Sequence, residues 1–385
     1  MTTKINVLQV IPKLGYGGAE TGCYDIAHFL PENDCGSFVA TSGGELLKFV
    51  KKDKVKIFKL PVHSKNPLLI IFNTLMLSIY IIFFKINIIH ARSRAPAWSC
   101  YFASLLTGRV FVTTFHGTYN FKSKFKKFYN SVMLKAKLTI AGSNFIFSHI
   151  NENYSEYLSK EKKLRVIFRG INVDYYNPRN ISMLKQEKLK REWNLSSNKF
   201  TILLPGRLTY WKGQEKFIES LNILIEDYNF TNFQAIILGS DQGRKVYAKK
   251  LVNLVERYNL NKKIKFIHHC NEMPLAYSLA DVVVSASTEP EAFGRVSVEA
   301  QSMGKPIVAS NIGGSKETII NKKTGFLYKH DDPRELAKSL NTVIQLTQDE
   351  LKFIGNEGRK NITKKFDVET MCQTNLKEYK RLIKN

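Results

Sequence analysis

Short runs of buried-type residues alternate with longer stretches of helical periodicity along this chain. In the first half the runs are INVLQVI, SFVATS, KIFKL, INIIHA, VFVTTF and LTIAGS; in the second they are FTILLPG, FQAIILG, KIKFIHH, DVVVSAS and PIVAS. Each is five to seven residues long and mostly apolar, and each is separated from the next by a segment long enough for a helix. That alternation predicts βαβ units, with parallel strands buried on both faces and helices covering them. Both halves therefore read as doubly wound α/β domains. Turn chemistry in RGINVDYYNPRN, ending near Pro178, places the boundary near residue 178. The second domain is expected over 179–366, and the tail MCQTNLKEYKRLIKN has the spacing of an amphipathic helix.

One helical segment departs from the pattern. LLIIFNTLMLSIYIIFF, residues 68 to 84, carries no charge, which is consistent with a buried domain helix, a helix lying in a membrane surface, or a span at the lower limit of length. Thr74, Ser78 and Lys85 fall on one side of it at helical spacing. Further on, NFKSKFKKFYN interleaves Lys122, Lys124, Lys126 and Lys127 with Phe121, Phe125, Phe128 and Tyr129. Such a stretch is either a solvated helix face or a contact for anionic lipid.

Composition narrows the class. The 385 residues suit two domains, and 44% hydrophobic with 24% charged residues is the usage of a folded chain. The net charge is +25, of which an excess of 15 lies in residues 1–180. A charge of this size fits nucleic acid, an anionic membrane or a phosphate-rich substrate, or is a compositional bias. No recognition helix or aromatic RNA motif accompanies it, which disfavours nucleic acid. Five scattered cysteines without a C-x-x-C pair fit a reducing cytoplasm, and the opening MTTKINVLQVIPKLG is broken by Pro12 and Lys13 too early to direct export.

The chemistry is concentrated where open parallel sheets bind ligands, at the carboxyl ends of strands. KLGYGGAE puts Gly15, Gly17 and Gly18 between a strand and a helix, where backbone and helix N-terminus can approach phosphate, although Glu20 breaks the strict dinucleotide fingerprint. His116 ends the strand in TTFHG, a ligand position or a satisfied structural histidine. In PGRLTYWKGQE, Arg207 supplies a planar fork and Lys212 a mobile point charge, a pair suited to a diphosphate. STEPEAFGRVSVEAQ then holds Glu291 in a loop and Glu299 early in a helix that begins near Gly294. Carboxylates accept bonds from vicinal hydroxyls, so two of them beside a helix N-terminus suit a nucleotide sugar. No D-x-D or H-E-x-x-H motif is present, so no metal is expected.

EAFGRVSVE has the E-x7-E pattern of retaining glycosyltransferases, and together with GRLTYWKG and SNIGGSKETIINKKTGFL it resembles glycosyltransferase family 4 through most of the chain. The resemblance implies the GT-B arrangement: two facing Rossmann-like domains with the active site in the cleft between them, and residues 367–385 crossing back to the first domain. Glu299 would hold the donor ribose, Glu291 the transferred sugar, and the backbone at Phe293 and Gly294 the sugar or phosphates. Arg207 and Lys212 would neutralise the diphosphate, Gly17 and Gly18 would admit it, His116 would contact the sugar, and HCNEMP would lie near the base. SKNPL, HARSRAPAWS, TTFHGTYN and SASTEPEAFGRVSVEAQ are similar to the lipopolysaccharide core mannosyltransferases of alphaproteobacteria. That similarity implies a hexosyltransferase using GDP-mannose on a lipid-linked glycan acceptor, in the cytoplasm and peripheral to an anionic inner membrane face. A nucleotide-sugar epimerase would share the architecture.

Overall fold

The computed structural model describes residues 4–119, 121, 123–158 and 163–384. The chain forms two compact units: Met1–Gly170 with Val368–Asn385, and Ile171–Asp367. The first crossing thus lies ahead of residue 178. Tyr176 explains why: its side chain is buried within the second unit, where its hydroxyl donates to Glu299.

The first unit runs β1 (Asn6–Val10), α1 (Gly18–Phe29), β2 (Gly36–Thr41), β3 (Val55–Lys59), α2 (Pro67–Phe83), β4 (Ile88–Ala91), α3 (Arg94–Thr107), β5 (Val110–Phe115), α4 (Lys124–Ser131), β6 (Leu138–Ala141), α5 (Asn144–Tyr154) and β7 (Lys163–Val166). All seven strands are parallel, in the order β3-β2-β1-β4-β5-β6-β7. β4 is buried along its whole length, as a central parallel strand covered on both faces must be. β7 escapes the sequence pattern because it is an edge strand of only four residues, none fully buried.

The second unit contains α6 (Met183–Glu192), β8 (Phe200–Pro205), α7 (Gln214–Glu226), β9 (Phe233–Leu238), α8 (Lys245–Arg257), β10 (Ile264–Ile267), α9 (Met273–Ser278), β11 (Val282–Ser285), α10 (Arg295–Ser302), β12 (Ile307–Ser310), α11 (Ser315–Thr318), β13 (Phe326–Tyr328), α12 (Pro333–Ile344) and α13 (Gln348–Lys365). Its parallel sheet has the order β10-β9-β8-β11-β12-β13. The last helix, α14 (Val368–Lys384), packs Met371, Cys372, Leu376, Tyr379 and Leu382 into the core of the first unit. In both sheets the strand order reverses once, between β1 and β4 and between β8 and β11. Loops leaving such neighbouring strands in opposite directions open a crevice at their carboxyl ends.

The uncharged segment is α2. Asn66 caps it, accepting from Leu68 N at 2.9 Å, and Pro67 fills the first turn. Its burial runs opposite to its polarity. Asn73 and Thr74 turn inward with Leu77 and Ile81, Asn73 donating to Pro61 O and Thr74 to Ile70 O. Leu68, Ile71, Phe72, Leu75, Ile79, Ile82 and Phe83 face outward, Leu68 and Phe83 about three-quarters exposed. Thr74 and Ser78 therefore mark the inner side of this helix, their hydroxyls satisfied by its own carbonyls. Among the described residues no helix is long and apolar enough to cross a membrane.

Candidate functional site

The second unit brings three of the expected groups together at its switch point. Strand β8 ends at Pro205 and delivers Gly206 and Arg207; strand β11 ends at Ser285 and delivers Ser287 and Glu291. Lys212 Nζ donates to Glu291 Oε1 at 2.8 Å, and Ser287 Oγ donates to the same oxygen at 2.5 Å. The pair is well shielded, with side chains 12% and 13% exposed. Burial pushes the Glu291 carboxyl up, but the Lys212 ammonium, the Ser287 hydroxyl and the Arg207 charge outweigh it and hold the acid below its ordinary range. Arg207 is exposed, its guanidinium left for solvent or a ligand.

Two backbone contacts hold these loops in place. Thr288 N donates to Trp211 O at 2.8 Å, joining the Lys212 loop to the Glu291 loop. Gly213 turns the chain at φ +71, and a Cβ there would lie 1.8 Å from Ala286 O, so only glycine fits. The 313–314 turn clamps the other side: Gly314 N donates to Glu291 O at 2.8 Å, and a Cβ on Gly314 would strike the Phe293 backbone at 2.4 Å. Phe293 itself is buried against Phe366, ring centroids 5.6 Å apart, which leaves its backbone as the part able to face a ligand. Gly294, at φ +77, opens α10 with no side-chain cap, so first-turn N–H groups of that helix remain for an anion.

Glu299 has a different environment from Glu291. It is buried, accepts from Tyr176 Oη at 2.9 Å and Tyr277 Oη at 2.7 Å, and is paired with Arg295 Nε at 2.5 Å. Burial, reinforced by the Glu299 charge, raises both tyrosines well above their ordinary value, so both hydroxyls stay protonated donors. A sugar hydroxyl at Glu299 would have to share or replace one of these bonds. In the HCNEMP segment, His269 Nε2 lies 2.8 Å from Asn271 Oδ1, and Glu272 accepts from Lys185 at 2.8 Å.

Gly17, Gly18 and His116 lie in the first unit. Gly17 is the N-cap of α1 and supplies no side-chain cap; Gly18 begins the helix, and a Cβ on it would stand 2.9 Å from Arg169 Nη1. Arg169 Nη2 also donates to His116 O at 2.8 Å. Both ring nitrogens of His116 are buried without a hydrogen-bond partner among the described residues. Burial depresses its pKa well below the usual histidine value, and the charges of Arg169, Arg92 and His90 depress it further. The ring is neutral at pH 7, with one donor and one acceptor nitrogen.

The sequence pattern did not single out Arg169, Arg295, Tyr176 or Tyr277. Arg169 is 53 residues from His116, and Tyr176 is 123 from Glu299, so nothing local links them. Arg295 alone had a usable signal, its i,i+4 spacing to Glu299 on α10. Among the described residues no cluster of three histidine, cysteine or acidic side chains could hold a metal ion.

Comparison with known proteins agrees with this geometry. Residues 16–175 match glycosyltransferase family 4, and residues 185–361 match the glycosyl transferases group 1. The crystal structure of a glycosyltransferase from Rickettsia africae ESF-5 aligns over 100% of both chains with a TM-score of 0.91 at 36% identity. Anabaena Alr3699/HepE in complex with UDP aligns over 98% of this chain and 100% of its own, with a TM-score of 0.81 at 25% identity. Spore coat protein SA of Bacillus subtilis (strain 168) is 24% identical over 307 residues, 77% of this chain and 79% of that protein. The fold is GT-B, and the protein is a glycosyltransferase. More narrowly, the chain belongs to the glycosyltransferases that join a family 4 domain to a group 1 domain.

Proposed function

We propose that the protein is a retaining hexosyltransferase that moves a sugar from a nucleoside diphosphate donor to a lipid-linked glycan. The observation that carries this reading is the Lys212–Glu291 pair with Arg207 beside it at the β8/β11 switch point. Arg207, Lys212 and the uncapped start of α10 supply positive potential for a leaving diphosphate. Preorganised charge of this kind is commonly the largest catalytic term. Glu291, kept ionised by Lys212 and Ser287, accepts bonds from the hydroxyls of the transferred ring and so orients it. Glu299 takes the ribose, and the backbone at Phe293 and Gly294 lies along the phosphates. Gly17 and Gly18 admit the diphosphate, and neutral His116 contacts the sugar. No protein nucleophile is needed if the acceptor enters on the face the diphosphate leaves, with a phosphate oxygen taking its proton. The chemistry uses no metal.

The donor we assign is GDP-mannose and the acceptor a lipopolysaccharide core or similar lipid-linked glycan, on the strength of HARSRAPAWS and SASTEPEAFGRVSVEAQ. HepE is described in complex with UDP, which supports a nucleotide-sugar site and makes UDP-sugars the necessary competitors. Product mass from a panel of GDP-, UDP- and ADP-sugars with lipid A–core acceptors tests the assignment. Mannosyl transfer from GDP-mannose is expected. Donor turnover without acceptor, giving an epimerised nucleotide sugar, would replace transfer by epimerisation.

The exposed apolar face of α2 supports an anionic bilayer surface as the place of work, with the enzyme cytoplasmic and peripheral. Helix α3 is tied to α2 by the buried Ser99, whose Oγ donates to Ile70 O at 3.2 Å, and Trp98 of α3 lies with its ring tilted and 5.8 Å from both Phe102 and Phe128, which joins α3 to α4. Leu105, Leu106, Phe125 and Phe128 extend the apolar face, and Lys124 and Lys126 stand exposed beside them. Apolar side chains ringed by lysine match the acyl region and the anionic headgroups of one leaflet. Lys122 lies outside the described residues.

A further inference from the structure

The three side-chain donors that meet Glu299 among the described residues are divided unevenly between its oxygens. Oε1 accepts from Tyr176 Oη at 2.9 Å and from Arg295 Nε at 2.5 Å, whereas Oε2 accepts from Tyr277 Oη alone, at 2.7 Å. An ionised carboxylate offers about four acceptor sites, two on each oxygen. Oε1 is therefore filled, and Oε2 has one site left. The donors reach it from separate parts of the second unit: Tyr176 from the segment ahead of α6, Tyr277 from α9, and Arg295 from the first position of α10. Both tyrosines are held from behind. Ser302 Oγ and Arg359 Nη1 donate to Tyr176 O at 2.8 and 2.9 Å, and the Tyr176 and Tyr277 rings meet edge to face with centroids 6.1 Å apart. Turning the carboxylate would break charge-assisted hydrogen bonds on both oxygens at once, so its orientation is fixed. The tyrosines are buried while the Arg295 side chain is 39% exposed, and the group thus meets solvent at the first turn of α10.

We propose that Tyr176, Tyr277 and Arg295 are positioning residues that limit Glu299 to a single hydroxyl of the donor ribose, accepted at Oε2 beside Tyr277. A carboxylate that grips a vicinal diol takes one hydroxyl on each oxygen. Here Oε1 has no site for the second hydroxyl unless Tyr176 or Arg295 is displaced, and displacing either leaves a buried donor without its acceptor. The remaining site on Oε2 takes one O–H at no such cost. The other ribose hydroxyl is then unread by Glu299, and a nucleotide lacking it is accepted. Tyr176 decides this selectivity without touching the ligand, because its hydroxyl occupies the place that a second ribose hydroxyl would need. The proposal rests on the assignment of Glu299 to the ribose and adds to it which part of the ribose is recognised.

The test is calorimetric titration of the full-length protein with GDP and UDP, and with the 2′-deoxy and 3′-deoxy analogues of whichever binds more tightly. One deoxy analogue is expected to bind roughly tenfold or more weakly than its parent, the scale of a lost hydrogen bond to a charged group, and the other within about threefold of it. Tyr176→Phe keeps the ring and opens a site on Oε1, so the diol can span both oxygens. In that variant both deoxy analogues should bind more weakly than the parent nucleotide, a change of selectivity that a merely structural tyrosine would not produce. Glu299→Gln should bind the parent nucleotide more weakly and lose most of the discrimination. Comparable weakening by both deoxy analogues in the unmodified protein would overturn the single-hydroxyl proposal and leave Glu299 on the ribose. Wild-type selectivity in Tyr176→Phe would overturn the positioning role of Tyr176. Indifference to both analogues, with unchanged nucleotide binding in Glu299→Gln, would remove Glu299 from the ribose altogether, and absence of binding by GDP and UDP alike would remove the nucleotide site on which the proposal stands.

Discussion

Lys212 Nζ sits 2.8 Å from Glu291 Oε1, and the two residues reach this contact from different strands, β8 and β11, 79 positions apart. Because the pair is shielded, removing one partner leaves the other as a desolvated charge, so its role is open to measurement from either side.

Lys212→Ala should lower kcat/KM by a factor on the order of 100 or more, as loss of one preorganised charge at a developing anion does elsewhere. Arg207→Ala should have an effect of the same order while leaving the fold intact, because its side chain is exposed. Steady-state kinetics with circular dichroism on each variant checks both; wild-type turnover in either would remove the diphosphate role.

The same pair predicts an acid-side response. The Glu291 carboxyl is lower in the folded protein than its ordinary 4.5, so its contribution to stability is present above about pH 4.5 and is lost as pH falls through the folded value. Lys212→Met should flatten the stability profile below pH 4.5. Urea unfolding between pH 3 and 6 would show it, and an unchanged profile would mean the pair does not govern Glu291.

His90 gives the opposite kind of group. Its ring is buried between Tyr379 Oη at 2.6 Å and Thr114 Oγ1 at 2.7 Å, and burial, assisted by the Arg92 charge, lowers its pKa well below 6.5. The folded state then refuses a proton that the unfolded chain takes. Stability is full above about pH 6.5 and falls as pH drops towards the folded value, by ~1.4 kcal/mol per pH unit for each such histidine. His90→Gln should reduce the slope between pH 6.5 and 5.5 by about one proton's worth. A slope equal to that of the wild type would place the titration elsewhere.

Transfer should persist in excess EDTA, since Arg207 and Lys212 are assigned the charge neutralisation that a divalent ion performs in other sites. Complete loss of activity that Mn²⁺ or Mg²⁺ restores would show an essential ion site.

Membrane attachment should separate into two parts. Lys124→Glu/Lys126→Glu should weaken sedimentation with anionic vesicles mainly at low salt, each lysine contributing about 1 kcal/mol. Ile79→Lys/Phe83→Ser on α2 should weaken it at all salt concentrations, since each large apolar side chain inserted contributes roughly 1.5–3 kcal/mol. Equal binding by all variants, or none by the wild type, would leave the apolar face without a bilayer partner.

The strands named from the pattern correspond to β1–β6 and β8–β12, and the loops carrying Arg207, Lys212 and Glu291 fall where their strands end. Those features are legible because a doubly covered parallel strand must be apolar on both sides, and because the loops at a switch point are set by strand order. The E-x7-E spacing is local too, but it does not say what each acid meets. Only the fold decided that Glu291 faces Lys212 and Ser287 while Glu299 is enclosed by Tyr176, Tyr277 and Arg295. Nor does the sequence of α2 say which side it buries. An uncharged helix whose few polar residues are Asn73, Thr74 and Ser78 would be expected to turn them outward; the inward turn is possible because Asn73 reaches the carbonyl of Pro61 while Thr74 is satisfied by the helix's own Ile70 carbonyl. Arg92 stands in the sequence as one basic residue among many. Its burial comes from the meeting of β4 with β1 and α1, a juxtaposition of segments distant in the chain, Ala91 with Val10 and Arg92 with Gly22, that periodicity does not encode.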